Sequence, residues 1–285
     1  MVKELSHDKG PSAADRIGMY AVLITCFNRR EQTLECLSRL FRSSIANQID
    51  VYLLDDGCTD GTGDAVRTQF PQVHIYTGDG SYFWSRGMRV LWGQCGSKPY
   101  AGYLWLNDDN VLDDDAFERM LHWVTKTEGR AILAGSMRDS TTGQVSYGGW
   151  KRFSLHPMKF QRVLPDSQDA LPADVLNGNL LYVPREVYER VGGIARGLVQ
   201  NGADYEYSVR CRRNGVECLV LPGTFGDCSD NDWGPKKRGI AGLRKMLKPR
   251  HLPFGPTMWF VKGVAGPSWP VWYVGMYVKA FLFGY

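Results

Sequence analysis

Hydrophobic and polar positions along the first 110 residues fall into blocks whose period switches back and forth. Met19–Ile24 is an unbroken apolar run, the pattern of a strand buried on both faces of a parallel sheet. Leu34, Leu37 and Phe41 then recur at helical spacing and predict a helix over Glu31–Arg42. Asp50–Leu54 predicts the next strand and closes a βαβ unit. The alternation continues with a helix over Asp60–Gln69, a strand at Val73–Tyr76, a helix over Ser85–Cys95 and a strand at Gly102–Leu106. The expected architecture is an α/β layer with a mostly parallel central sheet.

After residue 110 the regularity weakens. A helix is expected over Asp113–Lys126, with Phe117, Met120, Leu121 and Val124 on one side, followed by a strand at Ala131–Ala134. Residues 136–174 mix Gly, Ser, Pro and aromatics and read as loops or short antiparallel strands. Asn179–Val183 reads as a strand and Pro184 as the start of a short helix. Asp204–Asn214 reads as a helix stopped by Gly215, and Val216–Leu221 as a last strand. The polar first 16 residues are expected to fray.

Composition adds a division. The 285 residues are 44% apolar and 22% charged, which excludes wholesale disorder. The net charge of +4 is an average over two unlike parts: residues 233–285 hold nine Lys/Arg and no Asp or Glu, leaving 25 basic against 30 acidic residues before them. The charged opening lacks the apolar core of a signal peptide, and no run of eighteen uncharged apolar residues occurs. Seven cysteines without a C-x-x-C pair fit reduced cytosolic thiols better than disulfides or a zinc site. A cytoplasmic protein with an acidic body and a basic tail is expected.

Ligands of an open α/β sheet collect at the carboxyl ends of its strands. Three polar clusters fall there: Thr25–Arg29, Asp55–Gly61 and Asn107–Asn110. Asp108 and Asp109 follow the apolar stretch Tyr103–Leu106, and adjacent carboxylates at a buried strand end repel unless a cation compensates. They either hold a hard divalent ion such as Mg2+ or Mn2+ or simply turn the chain and cap the next helix. The Asp55–Gly61 cluster fails as a calcium loop: counted from Asp56, position three is Cys58 and position twelve is Arg67. Its remaining readings are contact with a nucleobase or ribose, with Asp60 capping the next helix, or a plain Gly-rich turn. In Gly78–Met88, Arg86 suits phosphate oxygens, while Tyr82, Phe83 and Trp84 fit either a sugar-binding platform or a core at a helix entry. Asp204 is either a reactive carboxylate or a helix-start residue favoured by the dipole, and Glu206 with Arg210 has the spacing of an i,i+4 pair.

Taken in order, Val22–Arg29, Leu53–Gly57, Asp108–Asn110 and Asp204 resemble the family 2 glycosyltransferases of GT-A fold, over residues 17–232. Tyr82–Met88 and Tyr103–Asn110 look closest to rhamnosyltransferase-like enzymes of bacterial surface polysaccharides. The resemblance implies a Rossmann-like nucleotide-sugar-binding domain and inverting hexosyl or deoxyhexosyl transfer. Its donor would be a nucleoside-diphosphate sugar and its acceptor a glycan or polyprenyl-linked glycan. It implies that Thr25, Phe27 and Asp56, with Asn28 and Arg29 in the same cluster, hold base and ribose. Asp108 would lie near ribose or donor sugar and share the divalent metal with Asp109, Arg86 would lie near the phosphates, and Asp204 would be the catalytic base. Two departures stand out: the D-x-D signature begins with Asn107, and Gly226–Ser229 offers no histidine where some members place a metal ligand.

The 233–285 tail pairs a basic stretch, Lys236–Arg250, with an aromatic one, Met258–Tyr285. That combination suits an anionic membrane surface, and peripheral attachment at the cytoplasmic face of the inner membrane is expected. No nucleic-acid motif accompanies the basic run, so nucleic acid is not expected as a partner. The competing reading packs Trp259, Phe260, Trp269, Trp272 and Phe281 on the body or in a homodimer. Two other function classes compete. A sugar nucleotidyltransferase would carry an N-terminal Gly-rich phosphate loop that is missing here. A non-catalytic membrane-bound scaffold would have no need of Asp56, Asp108, Asp109 and Asp204 together.

Overall fold

The computed structural model describes residues 3–4, 18–154, 156–230 and 234–285. The expected fraying of the first residues, apart from 3–4, and the boundary placed at Trp233 lie outside the described residues. In chain order the first half holds β1 (Lys3–Glu4), β2 (Tyr20–Cys26), α1 (Arg30–Arg42), β3 (Ile49–Asp55), α2 (Thr62–Gln69), β4 (His74–Thr77), α3 (Phe83–Cys95) and β5 (Gly102–Leu106). It continues with β6 (Val111–Leu112), α4 (Ala116–Lys126), β7 (Ala131–Arg138) and five short strands: β8 (Val145–Tyr147), β9 (Gly149–Arg152), β10 (Phe160–Val163), β11 (Leu171–Pro172) and β12 (Val175–Leu176). Then follow β13 (Leu180–Pro184), α5 (Arg185–Val191), α6 (Ala203–Arg213) and β14 (Glu217–Asp227). Three terminal helices close the chain: α7 (Gly239–Met246), α8 (Phe254–Ala265) and α9 (Trp269–Phe283).

The main sheet runs β1-β4-β3-β2-β5-β13-β7-β14-β11. Strands β4, β3, β2 and β5 are parallel, β13 runs against β5 and β7, and β7 and β14 are again parallel. The mostly parallel α/β sheet is therefore present, with β13 as its one reversed central strand. Its apolar runs are continuous because both faces are covered. In β5, Tyr103 and Trp105 enter an aromatic core with Trp92 and Tyr207, while Leu104 and Leu106 point into a second core with Leu133 and Phe225. Each such side chain contributes about 1.5–3 kcal/mol on burial.

Several boundaries differ from the sequence expectation, among them the start of α4 and the end of β14. Helix α4 starts at Ala116 because the residues before it are used elsewhere: Val111 and Leu112 pair with Asp227 and Gly226, and Asp113 binds Arg138 at 2.8 Å and Arg119 at 3.2 Å. Strand β14 reaches Asp227 because β7 pairs with it through two irregularities, and Arg138 fastens its end with a 2.8 Å ion pair to Asp227. The register then aligns the site loops. Cys26 pairs with Asp55 across β2 and β3, and Leu180 with Leu106 across β13 and β5, so the Asn107 amide donates to the Asn179 carbonyl at 3.0 Å.

Candidate active site

The loops after β2, β3 and β4 interlock. Asn28 adopts φ +51°, and its Oδ1 accepts the Thr59 amide at 2.7 Å, joining the first loop to the second. Asp60 is not the capping residue expected of it: Gly61 occupies the cap position of α2 at φ +80°, and Asp60, one residue earlier, accepts the Thr62 amide at 3.0 Å. Cys26, Asp55 and Cys58 form a second link. The Asn28 amide donates to Cys58 Sγ at 3.2 Å and the Cys58 amide to Asp55 Oδ1 at 2.8 Å, with the two sulfurs 4.0 Å apart. The Cys58 sulfur and burial both push the Cys26 thiol well above its ordinary pKa, so it stays protonated. None of the seven cysteines forms a disulfide.

Asp56 is buried and holds the third loop: Oδ1 accepts the Gly80 and Tyr82 amides at 3.0 and 3.2 Å, and Oδ2 accepts that of Phe83 at 2.9 Å. These contacts explain why α3 begins at Phe83 rather than Ser85. They also hold Phe83 at φ +54°, a left-handed conformation that a bulky residue adopts only when its surroundings compel it. Gly57 and Gly80, both at positive φ, touch backbone to backbone; a Cβ on Gly57 would lie 2.8 Å from the Gly80 nitrogen. Thr25 is buried beneath Gly87 of α3, whereas Phe27 is exposed beside Gly80. Arg86 lies over the Tyr82 ring, 4.5 Å from its centroid. Tyr82 is buried as a core residue, and Phe83 and Trp84 are half-buried.

The acidic pair does meet a cation. Arg29 Nη1 reaches Asp109 Oδ2 and lies 3.3 Å from Asp108 Oδ1. Asp108 is 2% exposed; burial, with Asp109 adding to it, raises its carboxyl to about 7 against the pull of Arg29 and the Thr33 hydroxyl. Asp109, at 30% side-chain exposure, faces outward, with Cys228 Sγ 3.6 Å from its Oδ1. The departure at Asn107 has a visible consequence: its Oδ1 accepts the Trp84 indole N–H at 2.9 Å.

Asp204 stands in the first turn of α6, where Gly202 occupies the cap position at φ +83°. It is not the capping residue. Its Oδ1 accepts the Tyr205 amide at 2.9 Å and its Oδ2 the Gly178 amide at 3.2 Å. Burial raises its carboxyl, opposed by those two bonds and by the Asn177 side chain. Gly178 also packs against Trp84, so Asn107, Trp84, Gly178 and Asp204 form one continuous set of contacts. Glu206 and Arg210 form the expected pair at 2.9 Å, which leaves Asp204 as the carboxylate of this turn without an ion-pair partner among the described residues.

A family model described as "Glycosyltransferase like family 2" matches residues 18–231. The chain belongs to this family. It is a glycosyltransferase of GT-A fold, and several solved structures share that fold at low identity. GalNAc-T7 in complex with UDP, GalNAc and Mn2+ superposes with a TM-score of 0.58 at 13% identity, over 72% of this chain and 43% of that one. This chain thus spans less than half of GalNAc-T7. TarS 1–349 of S. aureus with UDP-GlcNAc gives 0.57 at 12% identity, covering 92% and 81%. The mannosyltransferase PcManGT of Pyrobaculum calidifontis with GDP-Man and Mn2+ gives 0.55 at 14% identity, covering 96% and 84%. No curated protein sequence matches the chain.

Several site residues of this glycosyltransferase carry no local sequence signal. Gln200 Oε1 accepts the Trp84 amide at 2.7 Å, and Ser85 Oγ donates to the Gln200 carbonyl at 2.6 Å, so the segment before α6 fixes the start of α3. Thr33, Asn177 and Cys228 reach the acidic residues only through the fold.

Proposed function

We propose that this glycosyltransferase acts by inversion, moving a hexose or deoxyhexose from a nucleoside-diphosphate sugar to a hydroxyl of a glycan or polyprenyl-linked glycan. Bacterial surface-polysaccharide synthesis at the cytoplasmic face of the membrane is the setting that fits. The observation that carries the reading is Asp204: a carboxylate without an ion-pair partner among the described residues, raised by burial and joined through Gly178 and Trp84 to Asn107, next to the acidic pair. A sugar hydroxyl is a poor nucleophile near neutral pH, and a base of raised pKa is matched to taking its proton.

The acceptor O–H donates its proton to Asp204 as its oxygen bonds to the anomeric carbon. The bond from that carbon to the diphosphate breaks, and its electron pair leaves with the nucleoside diphosphate. A single displacement inverts the anomeric centre. In this reading Thr25, Phe27, Asn28 and Asp56 shape the base and ribose site, Asp56 partly by holding the loop at Gly80–Phe83. Arg29 and Arg86 face the phosphates, and Asp108 the ribose or donor sugar.

The acidic pair fits a divalent ion. Two adjacent carboxylates share one guanidinium, burial and the neighbouring Asp109 raise the Asp108 carboxyl, and oxygen donors suit Mg2+ or Mn2+. Such an ion on Asp109 and Asp108 would neutralise the charge of the departing diphosphate. Arg29, with 43% of its side chain exposed, has room to move toward the phosphates. GalNAc-T7 and PcManGT, which share the fold, were both solved with Mn2+.

The test is a panel of UDP-, GDP- and dTDP-sugars scored for thermal stabilisation with and without Mn2+. A matching donor at about a hundred times its Kd adds about 2.7 kcal/mol of stability. A panel in which no nucleotide sugar raises the melting temperature overturns the reading.

A further inference from the structure

The terminal helices expose a hydrocarbon surface. On α9, Val271, Val274, Val278 and Leu282 recur on one helix face and are 69, 59, 50 and 53% exposed. Phe281 and Phe283 flank them, and Ile240 of α7 and Phe254 of α8 are also exposed. The polar tips nearby are spent within the helical unit. Tyr273 and Tyr277 donate their hydroxyls to the Phe254 and Leu252 carbonyls at 3.0 and 3.1 Å, and the Trp272 indole donates to Ser268 Oγ at 3.0 Å. The inner side of α9 is fixed: Ala280 is buried where Gly242 of α7 crosses it, and Lys237 and Tyr285 exchange two backbone hydrogen bonds of 2.9 Å.

Beside this surface Lys236, Lys237, Arg238, Arg244, Lys248 and Arg250 are all exposed, in a segment without a single acidic residue. Helix α9 has 15 residues, about 22 Å of helix against about 30 Å of bilayer hydrocarbon. No helix among the described residues is long and apolar enough to cross a membrane. Apolar side chains bordered by cations, on helices too short to span, match an element lying in the plane of a lipid interface. A second copy of the chain fits less well. A two-fold contact through this face would bring one cationic border against another with no acid to compensate, whereas lipid phosphates complement it.

We infer that α7–α9 form a docking surface for an anionic lipid bilayer and hold the acceptor side of the active site at that surface. The tie to the site is direct. Asn201 Nδ2 donates to the Arg250 and His251 carbonyls at 3.0 and 2.8 Å, and Arg213 Nη1 donates to the Gly263 carbonyl at 2.7 Å. Phe260 covers Gly202 so closely that a Cβ there would lie 2.4 Å from its ring, and Asp204 follows two residues later. The link to catalysis rests on the transfer reading with a lipid-linked acceptor; the docking itself does not.

The experiment is flotation of the full chain with vesicles, without any substrate, so that a failed transfer reading leaves its result untouched. Phosphatidylglycerol-containing vesicles are compared with phosphatidylcholine vesicles. The wild-type chain is expected to float with the anionic vesicles. Lys236→Glu/Arg244→Glu/Lys248→Glu is expected to lower partitioning by about a hundredfold or more, at roughly fivefold per cation removed. Val274→Asp/Val278→Asp is expected to abolish flotation at an unchanged melting temperature. Equal binding to both vesicle types, no binding to either, or a dimer that these valine substitutions convert to monomer without any effect on flotation overturns the inference.

Discussion

The α/β body and the C-terminal helices treat charge and hydrophobic surface in opposite ways. In the body, apolar strands are covered on both faces, and the acidic residues at their ends are engaged: Asp56 by three amides, Asp108 and Asp109 by Arg29, Asp113 by two arginines. In the terminal helices, valines and phenylalanines face outward, and cations stand in a segment that contains no carboxylate. The difference separates a part that covers its apolar strands and pairs its carboxylates from a part that leaves apolar side chains and cations exposed.

The largest expected effect lies in the body. Asp204→Asn should lower kcat by about 10²–10⁴ while donor affinity, measured by calorimetry, stays at the wild-type value. An equal fall in donor affinity would move Asp204 from chemistry to structure. Leu104→Ala, in the core at 0% exposure, should cost about 2–5 kcal/mol in urea unfolding. The contact between the two regions comes next. Gly202→Ala would force a side chain at φ +83° against Phe260, with an expected loss of about 1–3 kcal/mol and a lowered kcat. An unchanged kcat would uncouple the terminal helices from Asp204.

A pH profile sharpens the same contrast. Since burial raises the Asp204 carboxyl, the acid limb of kcat should lie above the ordinary aspartate pKa of about 3.9, with activity lost as pH falls through it. Asn177→Ala removes a hydrogen bond that favours the charged form, so that limb should move to higher pH. The smallest effect belongs to the terminal helices. Val274→Asp should change unfolding free energy by no more than about 0.5 kcal/mol, because its side chain touches mainly water. A large loss there would mean that the exposed face supports the fold.

The strand and helix order through Leu106 was legible because its cause is local: apolar period sets which face a segment buries, and turn residues interrupt it. The three site loops were legible for a related reason, since polar residues after buried strands fall at one sheet edge. Helix α4 was misplaced by three residues because Asp113 answers to Arg138, 25 positions away. Nor does the basic composition of residues 233–285 announce three helices; they form by packing on α6 and on each other.

By itself, then, the sequence determined the α/β class and the family and singled out the candidate carboxylates, all of which rest on neighbours within a few residues or on ordered motifs. Only the tertiary structure decided what those carboxylates face. Arg29 meets Asp109 across 80 positions, Asp56 meets Phe83 across 27, and Asp204 meets Gly178 across 26. Such pairings follow from strand order and from which helix covers which loop, and those are fixed by the burial of the whole core rather than by any local pattern.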